Sequence, residues 1–163
     1  MSEEKPLWAP WRIEYILGEK PQGCVFCQMP KDNDDKGHRI LHRGNTCYLI
    51  LNIYPYNNGH LMIVPFRHMC DYTGLTDEEL AESAELTRLG MQILNEAMKP
   101  DGFNVGINQG KAAGAGIDEH LHIHIVPRWN GDNNFMPVIG QTKVIPQHLT
   151  ETYGILAAAL RRK

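Results

Sequence analysis

The sequence predicts an α+β domain: a meander of short strands broken by one long helix and closed by further strands. Short apolar runs bounded by Gly, Asn and Pro lie on both sides of a long segment with helical periodicity. The last run, His120-Leu121-His122-Ile123-His124-Ile125-Val126, alternates strictly, which is the period of a strand.

Taken in order, residues 31 to 37 read as a polar exposed loop. Arg39 to Arg43 and Thr46 to Asn52 read as two strands joined by a tight turn at Gly44-Asn45. Leu61 to Val64 is a third strand, entered from the Asn57-Asn58-Gly59 turn. Thr76 and Glu79 carry the spacing of a capping box and open the helix. Leu80, Ala84, Thr87, Met91, Leu94 and Met98 recur at intervals of three and four and predict its core-facing stripe. Pro100 ends it. Phe103 to Asn108 forms a fourth strand and the histidine run a fifth, giving an antiparallel sheet of about five strands. Gln147 to Arg161 reads as a C-terminal helix that Gly154 weakens.

At 163 residues the chain is one domain, able to bury its own core. Its 42% hydrophobic and 21% charged content is that of a soluble globular chain. The net charge of -3 argues against a general nucleic-acid binder. No apolar stretch reaches membrane-spanning length, and Met1 to Pro6 lacks the basic and apolar regions of a signal peptide. The expected setting is the cytoplasm, with no membrane or nucleic-acid partner. Cys47 and Cys70 read as small buried hydrophobes, and no disulfide framework is expected there.

The histidine run carries the chemistry. On a strand His120, His122 and His124 share one face, while Leu121, Ile123 and Ile125 share the other. An apolar face is what a core wants; a face of three imidazoles is expensive to bury. Such a row can hold a metal, or it can supply a nucleophile with orienting neighbours. A small-residue loop, Gly110-Lys111-Ala112-Ala113-Gly114-Ala115-Gly116, precedes it and suits close backbone approach to a ligand. Cys24-Val25-Phe26-Cys27 offers two thiolates and needs two further ligands to close a zinc site. Two histidine pairs are available, His38 with His42 and His68 with His120.

The His120–Val126 run, with Asn108–Gly116 before it and Asn52–Pro65 upstream, resembles the histidine triad (HIT) superfamily of nucleotidyl hydrolases and transferases. The resemblance covers a core of about 24–130 within a single domain spanning 1–163. The extensions, 1–23 with Trp8-Ala9-Pro10-Trp11 and 131–163 with Asn134 to Gly140 and Lys143 to Gln147, resemble a bacterial branch that includes diadenosine tetraphosphate phosphorylases. The resemblance implies a HIT-like fold and usually a homodimer. It implies His122 as nucleophile on an α-phosphate, with His124 contacting the phosphate and helping to protonate the leaving oxygen, and His60 facing the phosphate. Asn52 falls where relatives contact the ribose, and Gln109, Gly114, Gly116 and Ile117 fall around the phosphate chain. It also favours a structural zinc on Cys24, Cys27, His68 and His120. At Ile117 many relatives carry Ser or Thr, so phosphate contact there is left to backbone N–H groups, helped by the glycines.

These features point to an enzyme that cleaves dinucleoside polyphosphates, of the diadenosine tetraphosphate type, through a covalent nucleotidyl-histidine. The missing hydroxyl at Ile117 leans toward water, or water and phosphate together, as acceptor. An adenosine phosphoramidate or aminoacyl-adenylate hydrolase is the enzymatic alternative. A low-turnover scaffold binding adenine nucleotides is the alternative without catalysis.

Overall fold

Two continuous apolar runs and the alternating histidine run build a sheet buried on both faces. The computed structural model describes residues 23–132 and 145–163. The chain enters through a single helical turn, α1 (Val25–Gln28), a 3-10 turn at Met29–Lys31 and a second short helix, α2 (Asp35–His38). Strands β1 (Ile40–Arg43), β2 (Cys47–Leu51) and β3 (Leu61–Pro65) follow. The long helix α3 (Asp77–Met98) leads to β4 (Gly102–Ile107), β5 (Ile123–Arg128) and the closing helix α4 (Leu149–Leu160). The strands form one antiparallel sheet in the order β1-β2-β3-β5-β4. This is the predicted α+β plan of five strands with one long helix. Residues 1–22 and 133–144, including the Trp8–Trp11 and Asn134–Gly140 segments, lie outside the described residues.

Leu49, Leu51, Leu61, Ile63, Ile123 and Ile125 pack against Leu86, Ile93 and Leu94 of α3 and Leu156 of α4. The intervening Tyr48, Ile50, Met62 and Val64 form a second cluster with Phe26 and Ile40 on the opposite face. Burying both faces of the central strands is what makes a buried histidine face possible at all.

The helix begins as its sequence predicts. Thr76 accepts the Glu79 backbone N–H at 3.2 Å, and the Glu79 carboxylate accepts the Thr76 N–H at 2.9 Å. The stripe it buries differs from the predicted one. Glu79, Ser83, Leu86, Gly90, Ile93 and Leu94 face inward, so of the predicted set Leu94 alone is fully buried. Small residues explain the shift. A Cβ on Gly90 would come 2.8 Å from Ile125 Cδ1, so the helix axis lies close to the sheet only because no side chain is there. Glu79 is buried with a bidentate partner, Arg67, at 3.0 and 2.6 Å.

Four further expectations are corrected. The polar 31–37 segment is not all loop: Asp34 accepts the Gly37 N–H and caps α2. Cys47 is buried as expected, but Cys70 is exposed, because the chain has left the sheet after Pro65. The fifth strand starts at Ile123 rather than at His120. Continuing the β3–β5 register would put Leu121 opposite Pro65, which has no N–H to donate. The Leu121 N–H goes instead to the Met69 carbonyl at 2.6 Å. The expected helix from Gln147 starts at Leu149 with His148 as its cap, and it runs through Gly154.

Candidate active site and metal centre

The three histidines of the run are all buried, but they do three different things. Hydrogen bonds to groups of fixed polarity assign the tautomer of each ring. His120 Nε2 lies 2.9 Å from the Pro65 carbonyl oxygen, so this nitrogen carries the proton and donates. Its lone pair is at Nδ1, which lies 3.1 Å from Cys24 Sγ and 3.5 Å from Cys27 Sγ. His68 Nδ1 is 3.4 Å from Cys27 Sγ. The ligand atoms of Cys24, Cys27, His68 and His120 all lie within 4.8 Å of one another. Two sulfurs and two imidazole nitrogens converging at that spacing fit a tetrahedral zinc ion, and the bond from His120 Nε2 to a carbonyl is the usual outer support of such a ligand. The competing pair is not recruited: His38 Nε2 is bound to Asp32 at 2.9 Å.

His122 has the opposite tautomer. Its Nδ1 lies 2.8 Å from the His120 carbonyl oxygen and donates to it, which leaves the lone pair on Nε2. Burial pushes its pKa below the ordinary value, outweighing that hydrogen bond, so the ring is neutral near pH 7. The Phe26 ring, held on α1 between the two cysteines, packs against it with centroids 5.1 Å apart.

His124 follows as part of a chain of donors. The Tyr56 backbone N–H donates to His60 Nδ1 at 3.0 Å, so neutral His60 carries its proton on Nε2. That N–H donates to His124 Nδ1 at 2.9 Å, so neutral His124 carries its proton on Nε2. His124 Nε2 is buried and has no hydrogen-bond partner among the described residues. An orphaned buried donor is costly and marks a place where a ligand acceptor belongs. Burial, then the neighbouring His122 imidazole, pushes the His124 pKa down to about 4. The His122 and His124 rings meet edge to face with centroids 4.7 Å apart.

The other predicted site residues are placed as follows. His60 is fully buried behind His124, and its ring nitrogens are engaged there rather than turned to solvent. Asn52 lies beside it: its Oδ1 accepts the Tyr54 N–H at 2.8 Å and its Nδ2 approaches His60 Nδ1 at 3.3 Å. Gln109 is drawn to the turn after His68, accepting the Tyr72 N–H at 3.0 Å and donating to Asp71 at 3.1 Å. Gly114 and Gly116 lie exposed on the 110–119 loop, and Ile117 packs on the cluster that contains Phe26. Sequence reasoning missed Phe26 and Tyr56. The Tyr56 ring lies over both His60 and His124, at 4.8 and 5.4 Å between centroids, and its hydroxyl contacts Asn108 at 3.2 Å. Proximity to Cys-x-x-Cys and to the turn before His60 was the available signal for them.

Chemically, the arrangement places a lone-pair nitrogen beside an unsatisfied N–H, both on neutral rings, next to a closed sulfur–nitrogen cluster. The HIT domain family matches residues 34–131. An AP-4-A phosphorylase of Mycobacterium tuberculosis is 42% identical, over 96% of this chain and 85% of that protein. A zinc-bound histidine triad family protein from Mycobacterium smegmatis superposes with a TM-score of 0.69 at 29% identity, covering 86% of this chain and 94% of that one. A diadenosine triphosphate hydrolase of Plasmodium falciparum shares the fold, with a TM-score of 0.60 at 24% identity over 77% of this chain and 78% of that one.

Proposed function

The chain belongs to the HIT family as one of its enzymes, and from that premise we propose that it cleaves dinucleoside polyphosphates at the α-phosphorus through a covalent nucleotidyl-His122. The observation that carries this reading is the orphaned His124 Nε2–H beside the Nε2 lone pair of His122. An anionic phosphoryl centre needs a neutral nucleophile and a positive dipole aimed at the oxygens around it, and the pair supplies both. The His122 Nε2 lone pair forms the N–P bond. The bond from phosphorus to the bridging oxygen breaks, and its electron pair leaves with the second nucleotide. The proton stays on His122 Nδ1 and is donated in a hydrogen bond to the His120 carbonyl, which stabilises the charge the ring acquires. His124 donates to the phosphate, and His60 acts through His124 as a positioning residue.

The preferred substrate in this reading is diadenosine tetraphosphate, in line with the M. tuberculosis relative. The acceptor that resolves the intermediate is inorganic phosphate ahead of water. That relative moves the balance away from the water which a missing hydroxyl at Ile117 favours. Cys24, Cys27, His68 and His120 would hold zinc in a structural role, since four protein ligands leave no open position for substrate. The working unit in this reading is a homodimer. β4 is a sheet edge without lysine or proline, and its Val105 is 47% exposed, an edge that a second copy would cover.

Incubation with diadenosine tetraphosphate, with and without millimolar phosphate, tests the reading. ADP plus ATP is expected with phosphate present, and AMP plus ATP more slowly without it. Binding of the dinucleotide with no turnover under either condition would assign the chain to the nucleotide-binding scaffolds instead.

A further inference from the structure

The sheet face that carries His124 differs on its two sides. Met62 of β3 and Gly106 of β4 are both paired with His124, and Asn104 is paired with Val126. Directly paired residues share a face, so Met62 continues this face inward, and Asn104 and Gly106 continue it to the sheet edge. The inward side is apolar, with Met62, Ile50 and Phe26 in one cluster. The outward side is a glycine next to an amide. Nothing in the strand itself requires a glycine at 106. Glycine inside a strand weakens it and marks a bulge, a bend, or the close approach of a ligand or another backbone. The β4–β5 register runs through Gly106 without a shift, and its φ is not positive. Gly106 is exposed, and a Cβ there would meet nothing within 4 Å among the described residues. Its partner across the strands, His124, is only 7% exposed, and the His124 Nε2–H is unpaired among the described residues. The missing side chain and the unpaired donor belong to one cross-strand pair.

We propose that Gly106 is a specificity-determining residue: the gap left by its side chain is the lane along which the phosphate chain of the second nucleotide runs out from the histidines across β4. The proposal rests on the reading of His122 as the nucleophile, and it adds where the rest of the substrate lies. With the α-phosphate against His122 and His124, the chain beyond it has two ways across the sheet. Toward β3 it would be pressed on the Met62–Phe26 cluster, whose apolar side chains offer an anion no hydrogen bonds. Toward β4 it passes over a glycine, where no side chain keeps a charged chain from the backbone, and reaches the exposed sheet edge. Asn104 stands beside that path. Its Oδ1 accepts from Arg128 at 2.7 Å, so its Nδ2 is the end it presents to an anion. The lane matters only for substrates that carry a long group beyond the α-phosphorus.

Filling the gap tests this. Gly106→Ala and Gly106→Val are compared with wild type, and Gly102→Ala, on the same face of β4 but opposite Arg128, is the control. Each protein is assayed on diadenosine tetraphosphate and on adenosine 5′-phosphorofluoridate, which presents the same AMP with a single fluorine in place of the second nucleotide. For the dinucleotide kcat/KM is expected to fall at least about tenfold with alanine and further with valine, while for the fluoridate it changes by less than about threefold. The melting temperature is expected to hold or rise, since a side chain suits a strand better than glycine does. Gly102→Ala is expected to change neither substrate. An equal fall on both substrates would place the effect at His124 itself, and an unchanged dinucleotide rate, or an equal effect of Gly102→Ala, would place the chain elsewhere. A melting temperature lowered by more than about 4 °C, or a changed sedimentation coefficient, would show that protein, from this chain or a second copy, fills the gap. Each of these results overturns the proposal. If the wild-type protein transfers AMP from neither substrate, the reading of His122 fails instead, so the two failures are distinguishable.

Discussion

At the scale of single residues, three histidines two positions apart are separated in function by what their second nitrogen touches. A carbonyl against His120 Nε2 turns that ring's lone pair to the cysteines, and a carbonyl against His122 Nδ1 exposes the lone pair at the other nitrogen. His124 receives a donor at Nδ1 and is left with an N–H to offer. In this account His122→Ala removes the nucleophile and leaves the donors in place. Its kcat is expected to fall by about 10³-fold or more, roughly 4 kcal/mol of barrier, while the dissociation constant for a non-hydrolysed dinucleotide changes little. Steady-state kinetics and calorimetric titration read the two quantities separately. A variant that keeps a tenth of the rate would remove His122 from the role.

At the scale of elements, α3 holds the β1–β2 turn in place. The Glu82 carboxylate accepts the backbone N–H groups of Asn45, Thr46 and Cys47 and the Thr46 hydroxyl. Burial works against the charge, but these four hydrogen bonds prevail and hold its pKa at about 2. Glu82→Gln is expected to cost about 1–3 kcal/mol of stability at neutral pH. The sign of the pH dependence follows from the depressed value. The stabilisation is fully present above the ordinary carboxylate pKa of 4.5 and is lost as pH falls toward about 2. Denaturation of both proteins across this range should show the gap between them closing as acid protonates the native carboxylate. A gap that stayed constant down to pH 2 would contradict the assignment. The elements themselves were largely legible in the sequence. The turn-bounded apolar runs at Cys47–Leu51 and Leu61–Val64 and the Thr76/Glu79 box located the strands and the helix start. The buried face of α3 was not, because periodicity reads large apolar side chains, and this face uses Gly90, Ser83 and a paired Glu79 to let the helix approach. The site divides similarly. Histidine and cysteine spacing is visible in one dimension, but the stacking of Tyr56 over His60 and His124 and the seat of Gln109 on the 71–72 turn are products of chain reversal.

For the whole molecule, the Cys24–Cys27–His68–His120 cluster ties the entrance of the chain to the exit of β3 and the approach to β5. It adjoins His122 twice over: Phe26 packs on His122 from between the cysteines, and the His120 carbonyl accepts the hydrogen bond from His122 Nδ1–H. Protein purified without chelator is expected to hold about one zinc per chain. Chelation should lower the melting temperature, and His68→Ala should lose the metal while His42→Ala keeps it. Elemental analysis with thermal denaturation checks each. Loss of zinc on changing His42 and its retention on changing His68 would assign the other histidine pair. The central claim concerns a bond, and the most direct measurement is of that bond. Protein mixed with diadenosine tetraphosphate, quenched within milliseconds and digested under alkaline conditions, should yield the His122 peptide carrying one AMP, labile to acid and absent from His122→Ala. Product accumulating at the wild-type rate with no adduct at any quench time, and with inversion rather than retention at a chiral α-phosphorothioate, would show direct transfer to the acceptor and contradict the covalent His122 intermediate.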